Sequence, residues 1–262
     1  MLDSETRKAL SDFQSILESW NYFPLLVGAA ARMIIFDFKF GEGRKTTDLD
    51  FGVAVKNWED FQELRNLLVS GKPPKFKEAK NELRVIHIET SIEIDMIPFG
   101  DIGSPNQSIK WLDCNEFINV LGFEDAYLNS KTETVDDLKV QVIDTPAFVA
   151  LKMIAWRDRK DRTSKDLADI RFVLERYQYE NEDSWYEEVA DKLVSGDIEF
   201  NDIAIYFLGK EIKRIFGQDA LNVITKAVEE ILIAQGEYEE RDIGAQENFI
   251  RRMRTINDAI NS

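Results

Sequence analysis

The chain is almost devoid of cysteine and histidine: one of each, Cys114 and His87, in 262 residues. A single thiol excludes an intrachain disulfide framework and a cysteine-built zinc site, and it fits a reducing compartment. No Ser-His-Asp or Cys-His constellation assembles convincingly around the single histidine. In Arg84-Val85-Ile86-His87-Ile88 it alternates with apolar residues, the pattern of a structural strand histidine rather than a general base. Positive charge is also scarce. Lys and Arg number 33 against 49 Asp and Glu, a net charge of -16. This argues against a broad nucleic-acid surface, which needs clustered cations, but not against a local basic patch. Long apolar runs are missing too. The longest, residues 24–36, falls short of the roughly 20 residues that span a bilayer and contains Arg32. Residues 1–20 mix polar and charged side chains and show no secretory signal. Repeats and low-complexity segments are absent. The expectation is a soluble cytoplasmic protein with no membrane contact, built as one large domain or two modest ones.

What the chain does have is a close pair of aspartates. Arg44-Lys45-Thr46-Thr47-Asp48-Leu49-Asp50-Phe51 leads out of a glycine-containing polar stretch into the apolar run Phe51-Gly52-Val53-Ala54-Val55. On a strand, Asp48 and Asp50 point to the same side. Two adjacent carboxylates repel unless something positive lies between them, and hard oxygen ligands suit magnesium. An acidic turn entering a strand is the plainer alternative.

Around this pair the chain divides into two regimes. Residues 4–20 place Leu10, Phe13, Ile16 and Leu17 at helical spacing. A short apolar strand, Phe23-Pro24-Leu25-Leu26-Val27, then feeds Gly28-Ala29-Ala30-Ala31-Arg32, the start of a helix running to about residue 38. Glycine and small residues there serve two ends equally: phosphate approaching backbone N–H groups, or close packing of helix on sheet. Residues 57–70 read as a helix ended by Gly71-Lys72-Pro73-Pro74. Residues 83–89 and 91–98 form two strands joined tightly at Thr90. In the second, Ile92, Ile94 and Met96 share one face; Glu93, Asp95 and Ile97 share the other. An aspartate inside an apolar strand is costly unless paired or metal-bound, so Asp95 is the natural third carboxylate, with Glu93 a more solvated neighbour. Residues 99–134 are less regular, with short strands suggested at Trp111-Leu112, at residues 117–121 and at Tyr127-Leu128. Residues 138–143 make a clearer strand, and Thr145-Pro146 supplies a cap and a first-turn proline. Helical patterning then covers about 146–158, 164–178, 182–194, 202–216, 218–234 and 238–260, which sets a boundary between domains 1–144 and 145–262.

At that boundary the charge inverts locally. Lys152, Arg157, Arg159, Lys160, Arg162 and Lys165 face only Asp158 and Asp161, and a triphosphate needs such a patch. Lys152 and Arg159 fall on nearly one helix face while Arg157 points elsewhere. Lys152 lies among Phe148, Leu151, Met153 and Ile154, which favours a functional role; residues 159–162 read as a solvated loop. The spacing from Thr163 to Asp166 reads as a capping box, which accounts for Asp166. Lys165 and Asp169 are set to pair at i, i+4, and Asp169 borders the core.

In this order, five pieces resemble a nucleotidyltransferase of the DNA polymerase β-like superfamily, and more closely the AbiEii/AbiGii toxin group of abortive-infection and toxin–antitoxin systems. They are Gly28-Ala29-Ala30-Ala31-Arg32; Arg44, Thr46, Asp48 and Asp50; Asp95 in Ile94-Asp95-Met96-Ile97-Pro98; Lys152 with Arg157; and Lys165, Asp166 and Asp169. The match spans about residues 24–177. It implies an α+β fold, a mixed-sheet nucleotidyltransferase core followed by a C-terminal helical bundle that completes the site and carries the acceptor or partner surface. It also implies an NTP as donor and two Mg2+ ions held by Asp48, Asp50 and Asp95, with Lys152 as a fourth catalytic side chain. Gly28, Ala29, Arg32, Thr46, Thr47, Arg157, Lys165 and Asp169 are the nucleotide-binding set the resemblance implies. The expected acceptor is RNA (tRNA included) or protein, and an antitoxin protein is an expected partner. A small-molecule acceptor of aminoglycoside type, or a non-catalytic nucleotide-binding module on the same fold, are the alternatives. The family often has Ser where this chain has Ala29, leaving phosphate to the backbone N–H groups.

Overall fold

The computed structural model describes residues 2–40, 48–110, 117–179, 185–236 and 243–262. It separates into two compact units, Met1–Phe148 and Val149–Ser262. Among the described residues no helix is long and apolar enough to cross a membrane.

The first unit is built on a mixed seven-stranded sheet. Helix α1 (Ser4–Glu18) is started by Asp3, whose carboxylate accepts from the N–H groups of Glu5 and Thr6, a cap worth about 1 kcal/mol. It is followed by β1 (Leu25–Val27), α2 (Gly28–Arg32), a π-turn over Met33–Asp37 and the single turn α3 (Phe38–Phe40). Next come β2 (Asp48–Ala54), α4 (Trp58–Val69), β3 (Phe76–Glu78), β4 (Arg84–His87) and β5 (Glu93–Phe99). A two-stranded ribbon of β6 (Ser108–Lys110) and β7 (Phe117–Asn119) precedes α5 (Phe123–Leu128), β8 (Lys131–Val135) and β9 (Leu138–Val142). The main sheet runs β3-β4-β5-β2-β1-β9-β8. The β2–β5 and β1–β9 pairs are parallel and the rest antiparallel.

Alternation decides which face is core. Leu49, Phe51 and Val53 of β2 and Ile94 and Met96 of β5 are buried. Phe13 of α1 meets Phe51 at 4.7 Å between ring centroids and Phe76 edge-on at 6.1 Å, each pair adding roughly 0.5–1.5 kcal/mol beyond area burial. Asp48, Asp50, Glu93 and Asp95 occupy the alternate positions, on the opposite face.

Several sequence expectations are corrected here. Tyr127-Leu128 ends a helix, not a strand: Gly122 at φ +83 turns the chain into α5, with Glu124 and Asp125 in its first turn. Strands β3 and β8 carry no apolar alternation; β3 buries only Phe76, and four of the five β8 residues are exposed. The cap of the next helix is Asp144 rather than Thr145, since the Asp144 carboxylate accepts from the Ala147 N–H at 2.9 Å. Trp111-Leu112, Arg44, Thr46 and Thr47 lie outside the described residues.

In the second unit every described element is helical: the body of α6 (Thr145–Arg159), then α7 (Lys165–Arg176), α8 (Trp185–Ser195), α9 (Ile203–Ile215), α10 (Gln218–Gly236) and α11 (Ile243–Asn261). Its core includes Val189, Ile203, Phe207 and Ala259. Asp202, fully buried at the start of α9, receives Arg251 and Arg252 of α11 at 2.5 and 3.1 Å, tying the two helices together.

Candidate active site

Sheet register places the acidic residues. Parallel β2 and β5 pair Asp48 with Glu93 and Asp50 with Asp95. Paired residues on neighbouring strands share a face. Four carboxylates therefore project from one side of the sheet, three of them singled out in the sequence as ligands.

Gly28 lies under this cluster. It has φ +67, and a Cβ built on it would stand 2.1 Å from Asp50 Oδ2. Glycine is required twice there, by the left-handed backbone and by the carboxylate resting on it. The three alanines that follow are buried. They serve close packing, whereas Gly28 makes room for Asp50. Register explains the approach: Val27 pairs with Asp50, so the first residue of α2 comes up beside that side chain.

Asp95 has a partner that sequence reasoning missed. Arg84 donates from Nε and Nη2 to its two oxygens at 2.6 and 2.7 Å, while Nη1 contacts Glu93. The Asp95 hydrogen bond raises the Arg84 pKa, burial opposes it, and the charges of Asp95, Glu93 and Asp48 raise it further. Register on antiparallel β4 accounts for the pairing, since Arg84 stands directly opposite Asp95. Counting back from the tight turn at Thr90 predicts that placement. Nearby His87 is 1% exposed, with Nδ1 at 2.8 Å from Thr90 Oγ1 and Nε2 at 3.1 Å from Asp12. It braces α1 to the β4–β5 turn, a structural role.

Three carboxylates on one face are the donor types a hard divalent cation takes. Among the described residues, though, no group of three or more such side chains stands close enough to hold one. Asp95 is turned to Arg84.

Arg32 is 1% exposed and its guanidinium is bound to Asp37 at 3.1 and 3.3 Å. That pair braces the π-turn from inside.

The second unit carries its own charge network. Lys152 Nζ lies 3.0 Å from Asp166 and 2.8 Å from Asp169. Arg159 grips Asp166 with Nε at 2.6 Å and Nη2 at 2.8 Å. Asp166 is fully buried and Asp169 nearly so. Burial pushes the Asp166 carboxyl up, but the Arg159 hydrogen bond and the Lys152 charge bring it below its ordinary value. Asp166 is thus no cap, and Arg159 is no loop cation: the half-exposed Arg159 reaches the buried Asp166 and neutralises it. Asp169 pairs with Lys152, not with Lys165, which stays exposed. Arg157 and Lys160 both go to Glu230 at 2.8 Å. The basic stretch is largely matched by acids, and Arg157 does point away from the Lys152–Arg159 face.

The profile of the nucleotidyl transferase AbiEii toxin, type IV TA system, matches residues 35–212. The chain belongs to the AbiEii nucleotidyltransferase toxin family. None of the curated proteins matches it in sequence. Among solved structures, an antigenic nucleotidyltransferase-like protein from Paracoccidioides brasiliensis is 14% identical with a TM-score of 0.46, over 74% of this chain and 89% of that one. The antibiotic-resistance factor ANT(2″)-Ia is 11% identical with a TM-score of 0.41, over 66% and 85%. JHP933 from Helicobacter pylori is 11% identical with a TM-score of 0.37, over 100% and 94%. The AbiEii match covers β2, β5, α6 and α7, the elements that carry Asp48, Asp50, Asp95, Lys152 and Asp169.

Proposed function

We propose that this AbiEii-family chain transfers a nucleoside monophosphate from an NTP to an acceptor hydroxyl on RNA or protein, with Mg2+ as its metal, and is the toxin of a toxin–antitoxin or abortive-infection pair. One observation carries the reading: Asp48, Asp50 and Asp95 share a face of two adjacent parallel strands, with Asp50 seated over a glycine at positive φ. Asp48 and Asp50 would hold two Mg2+ ions, and Asp95 would complete the acceptor side. Ions bound there supply Lewis acidity to the attacking and leaving oxygens of an in-line displacement. Asp95 would take the hydroxyl proton as the acceptor oxygen bonds to the α-phosphorus and pyrophosphate departs. N–H groups of Gly28 and Ala29 open the helical run 28–40 and would meet phosphate oxygens. Thr46 and Thr47, next to Asp48 in sequence, would meet the nucleotide. Lys152 is the cation assigned to the β- and γ-phosphates, with exposed Lys165 as a helper. Arg32, Arg157 and Asp169 then act in support, through Asp37, Glu230 and Lys152.

The net charge of -16 favours a cationic small molecule of aminoglycoside type as the second acceptor class. Incubation with each labelled NTP, Mg2+ and pooled tRNA, small amines or the chain alone separates these readings by the fraction that takes label. Binding of nucleotide with no transfer to any acceptor would leave a nucleotide-binding module instead. Asp48→Ala and Asp50→Ala are expected to abolish transfer while the far-UV circular dichroism stays that of the parent; full activity in either variant overturns the assignment.

A further inference from the structure

We infer that Arg84 is a resident cation at Asp95 and Glu93, and that a divalent ion gains Asp95 only when a nucleotide's phosphates arrive with it. The inference rests on the metal reading above and specifies how that metal is admitted.

Arg84 uses three nitrogens on two acids: both Asp95 oxygens and one of Glu93. The site is partly dry, with the Arg84 and Asp95 side chains 27% and 22% exposed. A bidentate fork of this kind is among the stronger ion pairs a protein makes. It gives the chain a way to keep Asp95 next to Asp50 in the absence of metal, where bare carboxylates would repel. The same fork obstructs a metal. A divalent ion at Asp95 needs an oxygen lone pair that now accepts an N–H, and it stands against a positive charge at close range. Triphosphate brings several negative charges and offsets that repulsion. Metal and nucleotide are therefore coupled through Arg84, and such coupling is reciprocal: each tightens the other by the same factor. Arg84 is a positioning residue in this scheme, acting through Asp95.

Mn2+ binding to the full chain, followed by electron paramagnetic resonance, tests it without any turnover. Mn2+ shares the preference for octahedral oxygen ligation. Titrations run with and without the α,β-methylene analogues of the four NTPs, and protein-free titrations correct for Mn2+ bound by the analogue itself. Wild type should bind Mn2+ weakly alone and at least roughly tenfold more tightly with an analogue. Arg84→Gln should bind Mn2+ alone about tenfold more tightly than wild type, so that the nucleotide effect shrinks towards none. Adding Asp95→Asn to Arg84→Gln should remove that gain. Should Arg84→Gln lose its fold, Arg84→Met decides: it removes both the charge and the fork, and a nucleotide-free affinity above wild type supports the scheme while an unchanged one rejects it. If wild type binds Mn2+ with an analogue but folded Arg84→Gln gains nothing alone, Arg84 has no such part and the metal reading stands without it. If the folded wild type binds no Mn2+ under any condition, the metal reading fails and this inference with it.

Discussion

Replacing Gly28 by alanine should separate stability from activity in a way few substitutions can. The new Cβ would fall 2.1 Å from Asp50 Oδ2 and 2.9 Å from its Cγ. A carbon–oxygen contact relaxes to about 3.3 Å, so the carboxylate must retreat by roughly 1.2 Å. The obstructing atom is the end of a side chain, so the backbone need not break. Left-handed strain at φ +67 adds roughly 1–2 kcal/mol. For a chain of this size that lowers the melting temperature by about 2–8 °C. Activity should suffer far more, because misplacing a reacting group by about 1 Å costs on the order of a hundredfold in rate. Gly196→Ala is the control. Its φ is +79 and no atom lies within 4 Å of where its new Cβ would stand, so it carries the backbone strain without touching a carboxylate. Thermal melts should show similar losses for both variants, whereas labelled-NMP transfer should collapse only in Gly28→Ala. Transfer by Gly28→Ala at near wild-type rate, or an equal loss in both variants, would refute the placement of Asp50 at the reacting centre.

Other outcomes follow from the same geometry. Asp166→Asn takes from Lys152 and Arg159 the carboxylate they share, leaving Asp169 to Lys152; removing one partner of a buried pair costs about 3–5 kcal/mol, and the half-exposed Arg159 reduces that to roughly 2–3 in urea denaturation. The Asp166 carboxyl has its folded pKa below the ordinary 3.8, so its contribution is complete above that pH and is lost as pH falls through the depressed folded value. The stability gap between wild type and Asp166→Asn should therefore narrow on acidification, and a gap as wide at about pH 2.5 as at neutrality contradicts the pairing. Gly209→Ala should destabilise by about 1–3 kcal/mol despite alanine's better helix propensity, because its Cβ would sit 2.6 Å from Ala259 Cβ and 2.9 Å from the Ile256 carbonyl. A rise in melting temperature would show that α9 and α11 are not packed so closely.

Periodicity makes most of the fold legible. Helices from α6 onward fall where apolar spacing puts them, because each must bury a stripe against its neighbours. Strands β2, β5 and β9 alternate and are legible for the same reason. The misses share a cause. Strand β8 is an edge that exposes four of five residues, and β3 is three residues long; neither needs an apolar face of its own. Tyr127-Leu128 looks strand-like in isolation, but a left-handed glycine five residues earlier has already committed the backbone to a helix. Such dependence on a distant neighbour is invisible to local pattern.

Charges are legible as needs rather than as pairs. The spacing Thr163 to Asp166 matches a capping box, yet the same spacing turns Asp166 inward on α7, and its 0% exposure demands cations that lie one helix back in the chain. Local geometry allows both outcomes; burial selects one. Asp95 follows the same logic with a sharper consequence. An aspartate on a half-buried strand requires a positive partner, and metal and guanidinium both meet that requirement. Register supplies the guanidinium, because antiparallel β4 sets Arg84 opposite Asp95 while parallel β2 sets Asp50 beside it. On the proposed metal reading, a carboxylate flanked in this way answers to two cations in turn. Removing Arg84 should therefore alter when metal binds, and removing Asp50 should alter whether it binds at all.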